Sequence, residues 1–256
     1  MKLTEILHIL EREVAPVALS DAFCKKYGMY DNSGIIIDCG KDISGALFSL
    51  DLSSKAVAAA IEKGFNLIVT HHPAIYGGVS RINFNDPIAK CLKNGISVIS
   101  MHLNFDAAPE GIDYFLMRGL GGEQAEISAP VDGGGYGRVY AVKEACFGEY
   151  FNMVRATFPE RALAYGDKLK KIKKVASFCG AGFDDHNMAF TVSRGADVFV
   201  SSDLKHHEIS GLLEKGINVI HLTHYSAENY GFNMIYNKIK ERLQLPAEYF
   251  CDGDLK

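Results

Sequence analysis

No stretch of the chain limits its possible folds as strongly as Leu67–Pro73, where a short apolar and β-branched run ends in His71, His72 and Pro73. Such a run, preceded by Gly64, predicts a buried strand. The histidines then lie at the carboxyl end of the strand, where open α/β sheets place their ligand sites. Because neighbouring side chains of a strand point to opposite faces, we expect the two imidazoles to diverge and to suit two nearby metal ions.

The same order of helix, glycine and apolar strand occurs four times, and each strand is followed by a residue with ligand chemistry. The four glycine and ligand pairs are Gly64 with His71, Gly95 with His102, Gly195 with Asp203, and Gly216 with His224. Alternating helices and strands predict an α/β fold. A helix-glycine-strand repeat occurs in many α/β proteins without functional meaning. The potential ligand after all four strands favours a functional interpretation.

Three histidines and two carboxylates form the candidate metal-ligand set: His71, His72, Asp106, His224 and Glu228. His224 and Glu228 are four residues apart and share a face if that turn is helical. Asp106 could bridge two ions with its two oxygens. The set contains no thiolate and exceeds the needs of one tetrahedral structural zinc, so it suits two divalent transition ions. Each residue alone has an ordinary alternative as a polar or solvated side chain, and only the combination carries the prediction.

His102 and His207 are the candidates for proton transfer near a metal-activated water. Asp203 and His206 could orient metal ligands, although His206 and His207 together also fit an exposed helix start. The Gly180-Ala181-Gly182 segment is interpreted as a turn that allows close approach of the backbone, since it lacks a phosphate-binding motif. The basic run 168–174 is interpreted as a solvated segment.

Composition narrows the class of protein. The 256-residue chain is 48% hydrophobic and 23% charged, and its net charge of −4 gives no electrostatic reason to expect nucleic-acid or membrane binding. Its six cysteines form no C-x-x-C pair, which argues against a zinc ribbon or a redox pair. We found neither a signal-peptide pattern nor an apolar run approaching the ~20 residues that span a bilayer. A cytoplasmic protein is therefore expected.

Five motifs in this order resemble the NIF-three-like family, whose bacterial members are labelled GTP cyclohydrolase I type 2 homologs: Thr70-His71-His72-Pro73, His102-Leu103-Asn104-Phe105-Asp106, Gly180-Ala181-Gly182, Ser202-Asp203-Leu204-Lys205-His206-His207 and His224-Tyr225-Ser226-Ala227-Glu228. The resemblance extends over nearly the whole chain, and it places the family's dinuclear metal ligands on the same five residues. It implies two interlocked α/β domains, with the metal site in the cleft between them. The first of these domains would comprise residues 1–126 and 220–256, and the second domain would comprise residues 127–219. Toroidal homohexamers are also implied.

Two functional hypotheses follow. The first is a metal-dependent hydrolase that uses a metal-bridging hydroxide on a small-molecule substrate, and the family label suggests a nucleotide such as GTP. The second is a non-catalytic protein that stores, delivers or senses metal, or a scaffold for protein partners. Nucleic-acid binding is a weaker third hypothesis because the chain is acidic. Imidazole and carboxylate ligands accommodate zinc, iron, manganese, nickel or cobalt, so the sequence does not identify the metal.

Overall fold

The computed structural model describes residues 1–255, which form two sheets flanked by helices. The helices are α1 (Leu3–Glu13), α2 (Val17–Tyr27), α3 (Ser54–Glu62), α4 (Pro87–Asn94), α5 (Leu103–Ala107), α6 (Ile112–Gly119), α7 (Phe147–Thr157), α8 (Asp185–Ser193), α9 (His206–Glu214) and α10 (His224–Ile239). The strands are β1 (Gly34–Ile37), β2 (Ala46–Ser49), β3 (Leu67–Thr70), β4 (Ser97–Ser100), β5 (Ala125–Val131), β6 (Gly134–Cys146), β7 (Ala162–Tyr165), β8 (Lys171–Ser177), β9 (Val198–Ser201), β10 (Asn218–Leu222) and β11 (Ala247–Phe250). The α/β class predicted from the sequence is confirmed.

The described residues divide into two compact units, each of which contains one sheet. The first unit comprises Met1–Gly111, Val131–Gly133 and Phe232–Leu255, and the second comprises Ile112–Pro130 and Gly134–Gly231. None of the helices among residues 1–255 is long and apolar enough to cross a membrane.

The sheet of the first unit has the strand order β1-β4-β3-β2-β11. Its strands β4, β3, β2 and β11 are parallel neighbours, and β1 runs antiparallel to β4. Thr70 pairs with Ser49 on one side and with Ser100 on the other, so β2, β3 and β4 end level with one another. The segments that follow these three strands therefore leave the sheet at the same edge.

Local sequence signals position the histidine pair at that edge. The Ser53 hydroxyl caps α3 by accepting a hydrogen bond from the Ala56 amide at 3.1 Å. Gly64 follows this helix with a φ of 68°, a left-handed conformation that glycine adopts without steric cost. The chain then enters β3, all four residues of which are buried. The predicted helix, glycine and strand are confirmed here.

The sheet of the second unit has the order β5-β6-β8-β9-β10-β7. Strands β8, β9 and β10 are parallel, whereas β6 and β7 run antiparallel to their neighbours β8 and β10. The rings of Phe178 and Phe199 stack with centroids 5.0 Å apart in the core of this unit. Here too, three parallel strands end at one edge, and the candidate residues of this unit follow them.

Two helices that follow β4 were not predicted from the sequence. All five residues of α5 are buried, and α6 is only eight residues long. Because α5 is buried on every side, it lacks the amphipathic period by which a helix is recognised. Asp106 consequently lies on a helix that the sequence did not predict.

Candidate metal-binding clusters

The first cluster consists of His71, His102 and Asp106 in the first unit, with His72 beside them. One ligand atom from each of the first three residues lies within 4.8 Å of the others. His71 and Asp106 are buried, and the His71 Nε2 atom is 3.5 Å from Asp106 Oδ1. His102 is the residue directly before α5, so it precedes Asp106 by one helical turn. His102, which was predicted for proton transfer, thus lies among the predicted metal ligands as a further candidate ligand.

The adjacent histidines do not diverge as expected for a continuing strand. Strand β3 ends at Thr70, and the amides of His71 and His72 both donate to the Leu50 carbonyl, at 3.2 and 3.0 Å. This turn brings the two imidazole rings to a centroid distance of 4.9 Å. The predicted divergence is wrong because the alternation of side chains applies only within the strand.

Each imidazole of the first cluster engages a hydrogen-bond partner through Nδ1. His71 Nδ1 lies 3.0 Å from the Met101 carbonyl oxygen, and His72 Nδ1 lies 2.6 Å from Asp51 Oδ1. A carbonyl oxygen can only accept, so the neutral form of His71 has its proton on Nδ1 and its lone pair on Nε2. Metal-binding histidines typically have this second partner, which sets the tautomer and the ring orientation.

His102 has the most extensive support. Its Nδ1 lies 2.7 Å from Asp31 Oδ1, and its amide donates to Ser33 Oγ at 2.9 Å. Asp31 also accepts hydrogen bonds from the hydroxyls of Ser20 and Ser33, at 2.5 and 2.6 Å. Burial alone would raise the pKa of Asp31, but the hydrogen bonds from His102, Ser20 and Ser33 outweigh it and hold the pKa below its usual range. An ionised Asp31 therefore faces His102.

Neither supporting carboxylate of this unit, Asp31 or Asp51, was predicted from the sequence. Asp51 follows β2 and had an available signal, since β2 ends at the same sheet edge as β3. Asp31 lies in the segment before β1 and has no such signal, because only the folded chain brings it to His102, 71 positions away.

The second cluster consists of His224 and Glu228 in the second unit. His224 begins α10, which places the two side chains on one helical face, with His224 Nε2 3.0 Å from Glu228 Oε2. His224 Nδ1 lies 2.6 Å from Asp203 Oδ2, as expected for a residue that orients a ligand. Asp203 follows β9 with a φ of 53°, a left-handed conformation that aspartate tolerates better than most residues.

The Cys179–Gly182 loop presents its backbone to the second cluster. A Cβ atom on Gly180 would overlap Glu228 Oε1 and would lie 3.4 Å from the His224 ring. Gly180 also has a φ of 59°, so both space and conformation require glycine. This finding matches the close approach expected for the segment.

Four side chains hold the Cys179–Gly182 loop, one of which is Asn187, whose Nδ2 donates to the Gly182 carbonyl at 3.0 Å. The buried Asp113 accepts from the Cys179 amide at 3.1 Å, and the Tyr136 hydroxyl donates to the Cys179 carbonyl at 2.5 Å. The Ser201 hydroxyl accepts from the Gly182 amide and donates to the Gly180 carbonyl, each at 3.0 Å. Residues outside the second cluster therefore fix the position of this loop.

Asp113 forms a buried ion pair with Arg138 and also accepts from the Gly137 amide at 3.0 Å. Burial raises the pKa of Asp113, and the Arg138 guanidinium and the two amide donors oppose that rise. The sequence analysis did not single out either residue, because a buried ion pair has no local pattern.

The remaining predicted residues lie outside the two clusters. His206 and His207 occupy the first turn of α9 and are exposed, in agreement with the alternative considered for them. In the basic run, Lys173 pairs with Glu144 at 3.0 Å and Lys170 approaches Asp197 to 3.5 Å. These ion pairs support its interpretation as a solvated segment.

Comparison with known proteins gives full-length matches. A family model described as Duf34/NIF3 (NGG1p interacting factor 3) matches residues 1–251. A Clostridium perfringens protein named GTP cyclohydrolase 1 type 2 homolog is 32% identical over 266 residues, covering 100% of this chain and 98% of its own. A solved hypothetical protein of Staphylococcus aureus has a TM-score of 0.83 at 24% identity, over 98% of this chain and 97% of that one. Reduced HcgD from Methanocaldococcus jannaschii has a TM-score of 0.78 at 27% identity, over 97% of both chains. The staphylococcal likeness concerns the fold alone.

Proposed function

Because the chain belongs to the Duf34/NIF3 family, we propose that it is a metal-dependent hydrolase acting on a nucleotide or a related small molecule. The observation that carries the proposal is the common support of four imidazoles. His71, His72, His102 and His224 each engage a carbonyl or carboxylate oxygen through Nδ1, which orients Nε2 for a metal or a proton. The name of the clostridial relative motivates the choice of a nucleotide.

The proposed ligands of two divalent ions are the five residues expected from the sequence: His71, His72, Asp106, His224 and Glu228. Their nitrogen and oxygen donors fit zinc, iron, manganese, nickel or cobalt. When bound, such ions supply Lewis-acid chemistry, which activates water and stabilises negative charge on a substrate.

The protein's own residues supply orientation and proton transfer. Asp31 fixes the His102 ring through Nδ1, so Nε2 is the nitrogen that can accept a proton during the reaction. Asp51 and Asp203 fix the rings of His72 and His224 in the same manner. His207 is retained as a second candidate for proton transfer.

The homohexamer implied by the family is part of the proposal. Light scattering on the purified protein measures it directly. A mass of about six chains supports the assembly, and a monomer contradicts it.

The decisive experiment measures metal content per chain after gentle purification, together with turnover of GTP. We expect about two ions in the parent protein and fewer in the His71→Ala and Glu228→Ala variants. His8→Ala is the matched control, because His8 also contacts a carbonyl oxygen through Nδ1, that of Thr4 at 2.9 Å, but is exposed and belongs to neither cluster.

The outcomes separate the hypotheses. Metal binding with turnover supports the hydrolase. Metal binding without turnover on any nucleotide or phosphoester favours storage, delivery or sensing. A protein that takes up no metal on titration contradicts both.

A further inference from the structure

Tyr76 is an exposed aromatic residue beside the first cluster. It lies in the loop between β3 and α4 and is 56% exposed. Three rings surround that of His102, namely those of His71, His72 and Tyr76, at centroid distances of 5.1, 5.9 and 6.3 Å. Tyr76 is the exposed one of the three, and it meets His102 at an interplanar angle of 85°.

The Tyr76 ring is held in this position. Its hydroxyl donates to the Tyr30 carbonyl at 3.3 Å, and the two tyrosine rings meet edge to face at 5.9 Å. The preceding backbone is anchored as well, because Asn32 Nδ2 donates to the Ile75 carbonyl at 2.6 Å. A large aromatic ring that is both fixed and open to solvent is suited to contact with a ligand.

The supports of Tyr76 and His102 belong to one continuous segment. Tyr30 and Asn32 hold Tyr76 and the backbone before it. Asp31, which lies between them in the sequence, contacts Nδ1 of His102. The chain thus couples the position of an exposed ring to that of a candidate catalytic imidazole. A ligand resting on the ring would lie beside His102.

We propose that the exposed face of Tyr76, whose ring is held by Tyr30, is a stacking platform for the planar ring of the substrate, so that the substrate class is a nucleobase or another flat heteroaromatic compound. This inference rests on the proposed function for the role of His102. Stacking uses the π face that every base possesses, and a sugar phosphate without a base cannot supply it.

The absence of tryptophan from the sequence makes a direct test possible. Tyr76→Trp introduces a single indole at the platform, and its fluorescence is titrated with guanosine and with ribose 5-phosphate. The matched control is Phe84→Trp in the same loop, because Phe84 is 74% exposed and its ring faces the Lys93 ammonium group at 4.6 Å. We expect saturable quenching by guanosine at position 76 and none by ribose 5-phosphate. An equal response at positions 76 and 84 overturns the proposal.

Equilibrium dialysis with guanosine gives a second measurement on the native ring. Tyr76→Ala is expected to weaken binding about tenfold, whereas Tyr76→Phe retains affinity within about twofold because it keeps the aromatic face. Unchanged affinity in Tyr76→Ala overturns the proposal, as does a change in the oligomeric state with no effect on guanosine binding. The latter result would assign the exposed ring to an interface between protein chains.

Metal content, measured on the same samples, separates this inference from the proposed function. Guanosine binding without bound metal would leave the platform in place and contradict the hydrolase. Bound metal without guanosine binding would contradict the platform alone.

Discussion

The two candidate clusters share a motif but differ in how their side chains are held. Each places a histidine four residues before a carboxylate at the start of a helix: His102 with Asp106, and His224 with Glu228. In the first cluster, His102 is backed by the largely buried Asp31 and two serine hydroxyls. In the second, the His224 side chain is 35% exposed, and that of its partner Asp203 is 52% exposed.

The difference shows two ways in which the fold fixes the position of a side chain in a candidate site. Side-chain hydrogen bonds in a buried setting determine the position of His102. The position of Glu228 depends instead on the space left by Gly180 and on the buried Asp113–Arg138 pair behind the Cys179–Gly182 loop. The first cluster should therefore respond most to changes in hydrogen bonding, and the second to changes in packing and in the buried ion pair.

The largest expected effect comes from breaking the buried pair of the second unit. Arg138→Met leaves the Asp113 carboxylate buried without its cation and should lower the free energy of unfolding by about 3–5 kcal/mol, measured by urea denaturation. Combining it with Asp113→Leu should restore much of this loss, since no buried charge remains. A loss below about 1 kcal/mol in the single variant would mean that the pair does not support the loop.

The next prediction compares alanine substitutions at two glycines of the second unit, and it distinguishes the effect of steric overlap from the effect of backbone conformation. Gly180→Ala and Gly195→Ala both place a side chain at positive φ, at 59° and 62°, and each should cost about 1–2 kcal/mol of stability. Only Gly180 faces Glu228, whereas a Cβ on Gly195 meets nothing within 4 Å. Retained metal after dialysis should therefore fall about tenfold or more in Gly180→Ala alone. Equal metal retention in the two variants would contradict a role for the loop.

Asp31→Asn and Asp203→Asn compare the supporting carboxylates directly. Loss of such a partner typically lowers metal affinity about 10–100-fold. We expect this loss in Asp203→Asn, which supports the proposed ligand His224, whereas Asp31→Asn should keep its metal and lower turnover, because His102 is proposed to transfer protons. Competition with a chelator measures both affinities, and the reverse result would contradict the comparison.

The pH dependence of stability reports on the two buried aspartates. The folded-state pKa of Asp31 lies below its ordinary value of 3.8, so its contribution is present above pH 3.8 and is lost as the pH falls below it. That loss should reach about 1 kcal/mol at pH 3 and should be absent in Asp31→Asn. Asp113 should change the stability in the opposite direction, since its folded-state pKa is raised and acidification therefore favours the folded state. An unchanged acid slope in Asp31→Asn would contradict the account of Asp31.

The smallest effect is expected at His207, which lies outside both clusters. Because its side chain is exposed on α9, His207→Ala should change stability by less than about 0.5 kcal/mol and leave metal content unaltered. Loss of metal would place His207 among the ligands. A fall in turnover with metal retained would support its predicted role in proton transfer.

The sequence by itself determined the strands, their glycine-terminated helices and the residues that follow them. Buried strands such as β3 and left-handed glycines such as Gly64 have short-range causes, namely continuous apolarity and the steric freedom of glycine. A strand end followed by His71 or His224 is therefore recognisable without the rest of the fold.

Apart from Asp203, which was expected from its place after a strand, the residues that support those side chains were decided only by the tertiary structure. Asp31 reaches His102 from 71 positions away, and Asp113 reaches Cys179 from 66 positions away. The helix α5 was likewise not predicted, because a short segment buried on every side has no amphipathic period. Hydrogen-bond partners of this kind are chosen by proximity and burial, and both arise only when distant segments of the chain pack together.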